Sequence, residues 1–303
     1  MKIIPLIGYL LAIAITTNAH QSDFSKIMGN YFGQKPPESI PELFASEIIC
    51  KESRWEFAPT FSPNGKYFFC TIWEKQDRSD ERIWYSKIDD EKWTDLAEAP
   101  FSSDYFEYLP CFTSDSCLFF LSKRPFENQE KSLKYARLWS VKISDSIFRN
   151  PKPICLGDSI YPRYFSVSGN KTIYLNIEGK NGIFKSVFKD YKYQKPEKIT
   201  GDINSLEGIS RPYISADESY MLIDAPGSSG IEGDYDLYIS YRNEKNEWCY
   251  PIHLGNSINS HYFEGAATVS PDSKYIFFTR FINGISDIYW VSSKIIEKLK
   301  PKE

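Results

Sequence analysis

The chain has 303 residues, 42% of them hydrophobic and 16% aromatic, enough to bury the core of one large β domain. Its formal net charge of −4, with Lys and Arg scattered among Asp and Glu, leaves no basic footprint for a phosphate backbone, so nucleic acid is excluded as an expected partner.

Lys2 is followed by a thirteen-residue apolar run over residues 3–15 and then by polar Thr16, Thr17 and Asn18 before Ala19. That order is the pattern of a secretory signal peptide, expected over residues 1–19. The run is shorter than the ~20 residues a membrane-spanning helix needs. No later segment is apolar enough to span, so no transmembrane segment is expected once the signal is removed. Residues 20–36 form a lead-in, residues 37–293 the folded domain and residues 294–303 a C-terminal helix and tail.

From residue 57 onward one pattern recurs. A β-rich run, a polar turn and a second β-rich run appear in residues 57–69, 108–120, 211–223 and 266–278, with a shortened copy over residues 164–175. Taking Ser62, Thr113, Ser168, Ser215 and Ser270 as equivalent, the spacings are 51, 55, 47 and 55 residues. In each turn Asn or Asp supplies a side-chain cap. A third alternating strand follows in each repeat, over residues 82–86, 137–141, 182–186, 236–240 and 287–291. A polar fourth segment closes four of them, over residues 93–96, 153–156, 196–199 and 248–254. Repeats of this length with four strands each predict a single all-β propeller of four-stranded antiparallel blades. Five blades are counted, with six left open. The last repeat lacks its fourth strand, and residues 41–49 have the composition to supply it and close the ring.

The Ser-Pro-Asn-Gly and Ser-Pro-Asp-Ser turns at residues 62–65 and 270–273, the Asp-Leu-Tyr and Asp-Ile-Tyr strands at 236–238 and 287–289, and the phrase Leu-Gly-Asn-Ser-Ile-Asn-Ser at 254–260 resemble the TolB-type, WD40-like (PD40) propeller repeats of bacterial envelope and secreted proteins. The resemblance covers roughly residues 31–299 and implies the propeller fold and a periplasmic or secreted location. It implies no activity, because the repeats are scaffold.

In a propeller the first strand of each blade lines the central channel, and loops at one face form the usual ligand surface. Six residues before each anchor stand Glu56, Glu107, Pro162, Ile209 and Glu264, preceded by Trp55, Phe106, Tyr161, Gly208 and Phe263. Pseudo-symmetry predicts that Glu56, Glu107 and Glu264 converge at the channel mouth beside Trp55, Phe106 and Phe263. There they would bind a cation or polyhydroxyl ligand or supply acid and base. The structural alternative has each Glu satisfying backbone N–H groups and each aromatic packing between blades. Arg163 and Arg211 break the carboxylate pattern and suit an anionic or mixed ligand.

No CxxC pair occurs, and His20, His253 and His261 are the only histidines, so no metal set is expected, calcium at the mouth being the one cation left open. The six cysteines read as small buried hydrophobes rather than a disulfide framework. Asp236 and Asp287 read as partners of local turn amides. The favoured expectation is a binding or scaffold module for a glycan, peptide or protein partner in the cell envelope. The alternative is a carbohydrate-active enzyme of the glycoside-hydrolase kind, with two mouth carboxylates ~5–9.5 Å apart.

Overall fold

The computed structural model describes residues 27–126, 131–144, 147–227 and 234–302. The expected signal peptide, and residues 20–26 of the lead-in, lie outside them. No helix among the described residues is long and apolar enough to cross a membrane.

The turn chemistry read from the sequence is present in all five repeats. Ser62, Thr113, Ser168, Ser215 and Ser270 each donate a side-chain hydroxyl to the carboxamide or carboxylate two residues later, at 2.6–2.8 Å. Each hydroxyl oxygen also accepts a backbone N–H from the start of the second strand. One left-handed residue completes each turn: Gly65, Ser116, Lys171, Glu218 and Ser273, with φ between 59° and 69°.

These turns join the first and second strands of five antiparallel blades arranged as a propeller. Blade one is built from Trp55–Phe61, Tyr67–Trp73, Arg82–Asp89 and Ala97–Glu98, and blade two from Glu107–Phe112, Cys117–Ser122, Arg137–Ser144 and Lys152–Ile154. Pro162–Val167, Ile173–Ile177, Phe184–Ser186 and Glu197–Lys198 form blade three. Ser210–Ile214, Tyr220–Pro226, Tyr235–Tyr241 and Ile252–His253 form blade four. Blade five contributes Phe263–Val269, Tyr275–Ile282 and Ile285–Ser292, and its outer place is taken by Glu42–Leu43, which pairs with Trp290 and Tyr289. The ring thus closes through the N-terminal segment. Phe44 beside it is fully buried and packs edge-on against Phe277 and Trp290.

The fourth strand of blade one differs from its expected place at residues 93–96. Lys92–Trp93 instead extends the far end of the third strand, and Ala97–Glu98 pairs with Trp84 and Tyr85. Trp93 is drawn away because its ring is buried in a stack on Phe32, with centroids 4.2 Å apart. In blade four the strand is confined to Ile252–His253, since Trp248 bridges to Gly201 and Arg242 instead.

Every inner strand carries a β-bulge. A bulge leaves an N–H outside its own ladder, and a buried N–H needs a partner. In four blades the bulged residue is left-handed, namely Ala58, Leu109, Arg211 and Ala266, and its N–H donates to a side chain on the second strand of the preceding blade. The acceptors are Thr279 for Ala58, Thr71 for Leu109, Asn176 for Arg211 and Asp224 for Ala266, at 3.0–3.4 Å. Between blades two and three the corresponding acceptor position is Leu121. Among the described residues no such bond reaches Arg163, which is not left-handed.

The six-residue helix Lys294–Leu299 packs through buried Ile296 against blades four and five. Its Ile296 carbonyl accepts the Tyr241 hydroxyl.

Candidate functional site

The inner strands run from one end of the channel, near residues 57, 108 and 163, to the other, near the Ser and Thr anchors. At the anchor end a cavity of about 1010 Å3 is walled by all five blades, including Thr60, Phe112, Val167, Tyr213 and Thr268, and by the C-terminal Lys300 and Lys302. At the opposite end, the expected mouth, a cleft of about 620 Å3 is offset toward blades two and three.

Glu56, Glu107 and Glu264 line neither cavity. This corrects the expected convergence of carboxylates, and the reason is local pairing. Each is 0% exposed and each meets an arginine of its own neighbourhood: Arg54 for Glu56, Arg124 for Glu107 and Arg280 for Glu264. Glu107 also accepts the Ser103 hydroxyl and N–H and the Ser122 hydroxyl. Glu264 accepts the Ser260 hydroxyl and N–H in the same manner. A carboxylate held by a charged donor and a loop N–H is a loop anchor, not a free acid or base. Burial raises the pKa of Glu264, opposed by Ser260 and Arg280.

Of the expected aromatics, Phe106 and Phe263 do wall the mouth cleft. Trp55 does not: it stacks parallel to Trp73 with centroids 6.0 Å apart and donates its indole N–H to the Gly284 carbonyl at 2.5 Å. Both expected arginines reach the cleft, in different roles. Arg211 is nearly buried, ion-paired with Asp224 and packed over Tyr164 and Phe263 at 4.5 and 4.8 Å, so it is chiefly a structural member. Arg163 is 55% exposed and pairs with half-exposed Glu178 at 3.2 Å.

Apart from Tyr108 and Tyr161, second strands and the loops of blades one and two supply the remaining wall, which the first-strand reading overlooked. Trp73 and Tyr108 stand at its floor. Arg78 lies 4.5 Å over Trp73 and is held by buried Glu81, while Lys123 lies 5.0 Å over Phe106. Tyr135 and Tyr161 pack at 4.6 Å, with Lys134 and Arg137 over their faces at 5.1 and 4.2 Å. The readable signal was Pro162-Arg163, where the repeat departs from its own pattern at the blade that faces the cleft.

One group that could hold a cation was not visible in the sequence. Cys50, Glu56 and Asp287 bring a sulfur and two carboxylate oxygens within 4.8 Å of one another. Asp287 therefore faces Cys50 and Glu56 rather than the turn amides expected for it. Burial pushes the Glu56 carboxyl up to about 8 against the pull of Arg54, with the Asp287 charge adding to the rise. All six cysteines are free thiols, and Cys155 is exposed rather than buried.

Comparison with solved structures supports the fold through two arabinanases with TM-scores of 0.52 and 0.50. The chain is similar to TolB from Acinetobacter baumannii, with 12% identity over 79% of this chain and a TM-score of 0.49; it spans about half, 52%, of that protein's length. It is similar to the arabinanase Arb43A from Bacillus subtilis, with 11% identity over 79% of this chain and 94% of the other and a TM-score of 0.52. An endo-arabinanase from Bacillus licheniformis gives 12% identity over 80% and 94%, with a TM-score of 0.50. At such identities the likeness extends to the propeller alone. No family model and no curated protein matches the sequence.

Proposed function

We propose that the protein is an exported binding module that takes an anionic glycan in the cleft between blades two and three. The observation that carries this reading is the composition of the cleft wall. Phe106, Tyr135 and Tyr161 offer ring faces on which a sugar can stack, and Arg78, Lys123, Lys134 and Arg163 place cations among them, with Glu178 the single acidic side chain in the wall among the described residues. The apolar run at residues 3–15 supports export to the periplasm or beyond, where such glycans occur.

Binding is favoured over hydrolysis because the three candidate carboxylates are each engaged by an arginine and stand outside the cleft. The similar arabinanases share the propeller, and that likeness does not bring their reaction to this chain.

The test is calorimetric titration with uronic-acid oligosaccharides, neutral oligosaccharides of equal length and acidic peptides. Binding of the uronates, weakened about tenfold or more in Lys134→Gln and unaccompanied by release of new reducing ends, is the expected result. Tighter binding of the acidic peptide would replace the glycan with a protein partner. Equal affinity for neutral and anionic sugars would overturn the role assigned to the cations.

A further inference from the structure

We infer that Cys50, Glu56 and Asp287 form a site for a zinc-class divalent cation that clamps the ring where its last blade meets its first. The three residues come from separate pieces of chain. Cys50 follows the closing segment, Glu56 begins the inner strand of blade one and Asp287 lies in the third strand of blade five.

The pseudo-symmetry of the blades singles Glu56 out. Its equivalents Glu107 and Glu264 have both carboxylate oxygens satisfied, one by a serine N–H and the other by a serine hydroxyl and an arginine. The serine stands four residues earlier in each, at Ser103 and Ser260; before Glu56 that position is Glu52, which has a backbone N–H but no hydroxyl to donate. Oε1 of Glu56 accepts Arg54 Nε at 2.6 Å. Oε2 is buried without a hydrogen-bond partner, although the Lys51 amide lies close enough to favour the charged carboxylate. Where the other blades place a serine, this one gathers a thiol and a second carboxylate.

A fully buried carboxylate oxygen without a donor is costly, and a second acid beside it makes matters worse. Three anionic ligands and the Arg54 guanidinium sum to a formal −2, which a dication neutralises. The thiol selects the metal class: calcium and magnesium take oxygen ligands, whereas sulfur with carboxylate oxygen suits zinc. Ligand atoms on one tetrahedral zinc stand roughly 3.3–3.7 Å apart, so loading draws the three groups together by about 1 Å, leaving a fourth position for water. Cys50 Sγ accepts the Ile288 N–H at 3.3 Å, an outer bond that would steady a thiolate ligand, while its thiol donates to the Ile288 carbonyl at 3.7 Å, a proton that metal binding must release. Half-buried Asp287 provides the way in.

The experiment strips the full chain with a chelator and titrates zinc, cobalt and calcium. One equivalent of zinc, a Tm rise of about 5 °C at saturating zinc and a thiolate-to-cobalt absorption band are expected, with no shift from calcium. Cys50→Ser removes the band, and Asp287→Asn removes the Tm rise while leaving the Tm in chelator near that of the parent. If zinc binds no better than to the stripped background, or if both variants retain the parent's stoichiometry and shift, the site does not exist. Neither result bears on the glycan cleft, whose wall contains none of the three residues.

Discussion

The junction between blades one and two and the junction between blades two and three are built from the same repeat, yet they are joined differently. At the first, the left-handed bulge residue Leu109 donates its N–H to the Thr71 hydroxyl at 3.0 Å. At the second, Leu121 occupies the acceptor position and is fully buried in apolar company, and Arg163 turns outward to Glu178. The mouth cleft opens beside this second junction, with Phe106 and Tyr108 on one side and Tyr161 and Arg163 on the other. A polar staple makes a blade interface specific because its buried N–H has one geometry to satisfy. At the second junction no described side chain takes the bulge N–H, the Tyr108 hydroxyl reaches the Arg163 carbonyl at 3.4 Å instead, and the Arg163 side chain is left to face a ligand.

Removing the strongest staple gives the largest effect. Asp224 is fully buried, accepts the Ala266 N–H and pairs with Arg211. Asp224→Ala leaves both uncompensated and is expected to cost about 3–5 kcal/mol in urea denaturation. Asp224→Asn keeps an oxygen for Ala266 and should cost about 1.5–3 kcal/mol. Equal losses in the two variants would mean that the hydrogen bond to Ala266 contributes nothing and that the ion pair alone carries the effect.

Thr71→Val tests a neutral staple with little change of volume. It strands the buried Leu109 N–H, for an expected loss of about 1–3 kcal/mol by the same measurement. A loss below about 0.5 kcal/mol would show that the stapled junction is no more demanding than the one between blades two and three.

Much of this contrast could be read in advance. The anchors at residues 62, 113, 168, 215 and 270 and the Asn or Asp two positions on specified the blades, because turn chemistry is local and its side chains bond within a few residues. Closure by the N-terminal segment followed from the strand missing after Val291. The carboxylates were misplaced for a physical reason: position along an inner strand says where a Cα lies, not whether an arginine sixteen or seventeen residues later will claim the side chain, as Arg280 and Arg124 do. The cleft wall was largely illegible because Trp73, Lys123, Lys134 and Tyr135 arrive from second strands and loops, which the repeat pattern does not fix. The break in the repeat at Pro162-Arg163 was the legible trace of the site.

The smallest effect on stability should accompany a clear effect on binding. Arg163 is more than half exposed, and its pair with Glu178 lies in high dielectric, where such bridges contribute little. Arg163→Gln is therefore expected to change the unfolding free energy by less than about 0.5 kcal/mol. If the cleft holds an anionic sugar, the same substitution removes a charge from its wall and weakens uronate binding by about fivefold or more. Thr71→Val should show the reverse pattern, reduced stability with unchanged affinity. Should Arg163→Gln instead destabilise the fold as much as Thr71→Val does, Arg163 would be part of the blade interface after all, and the division of labour between the two junctions would fail.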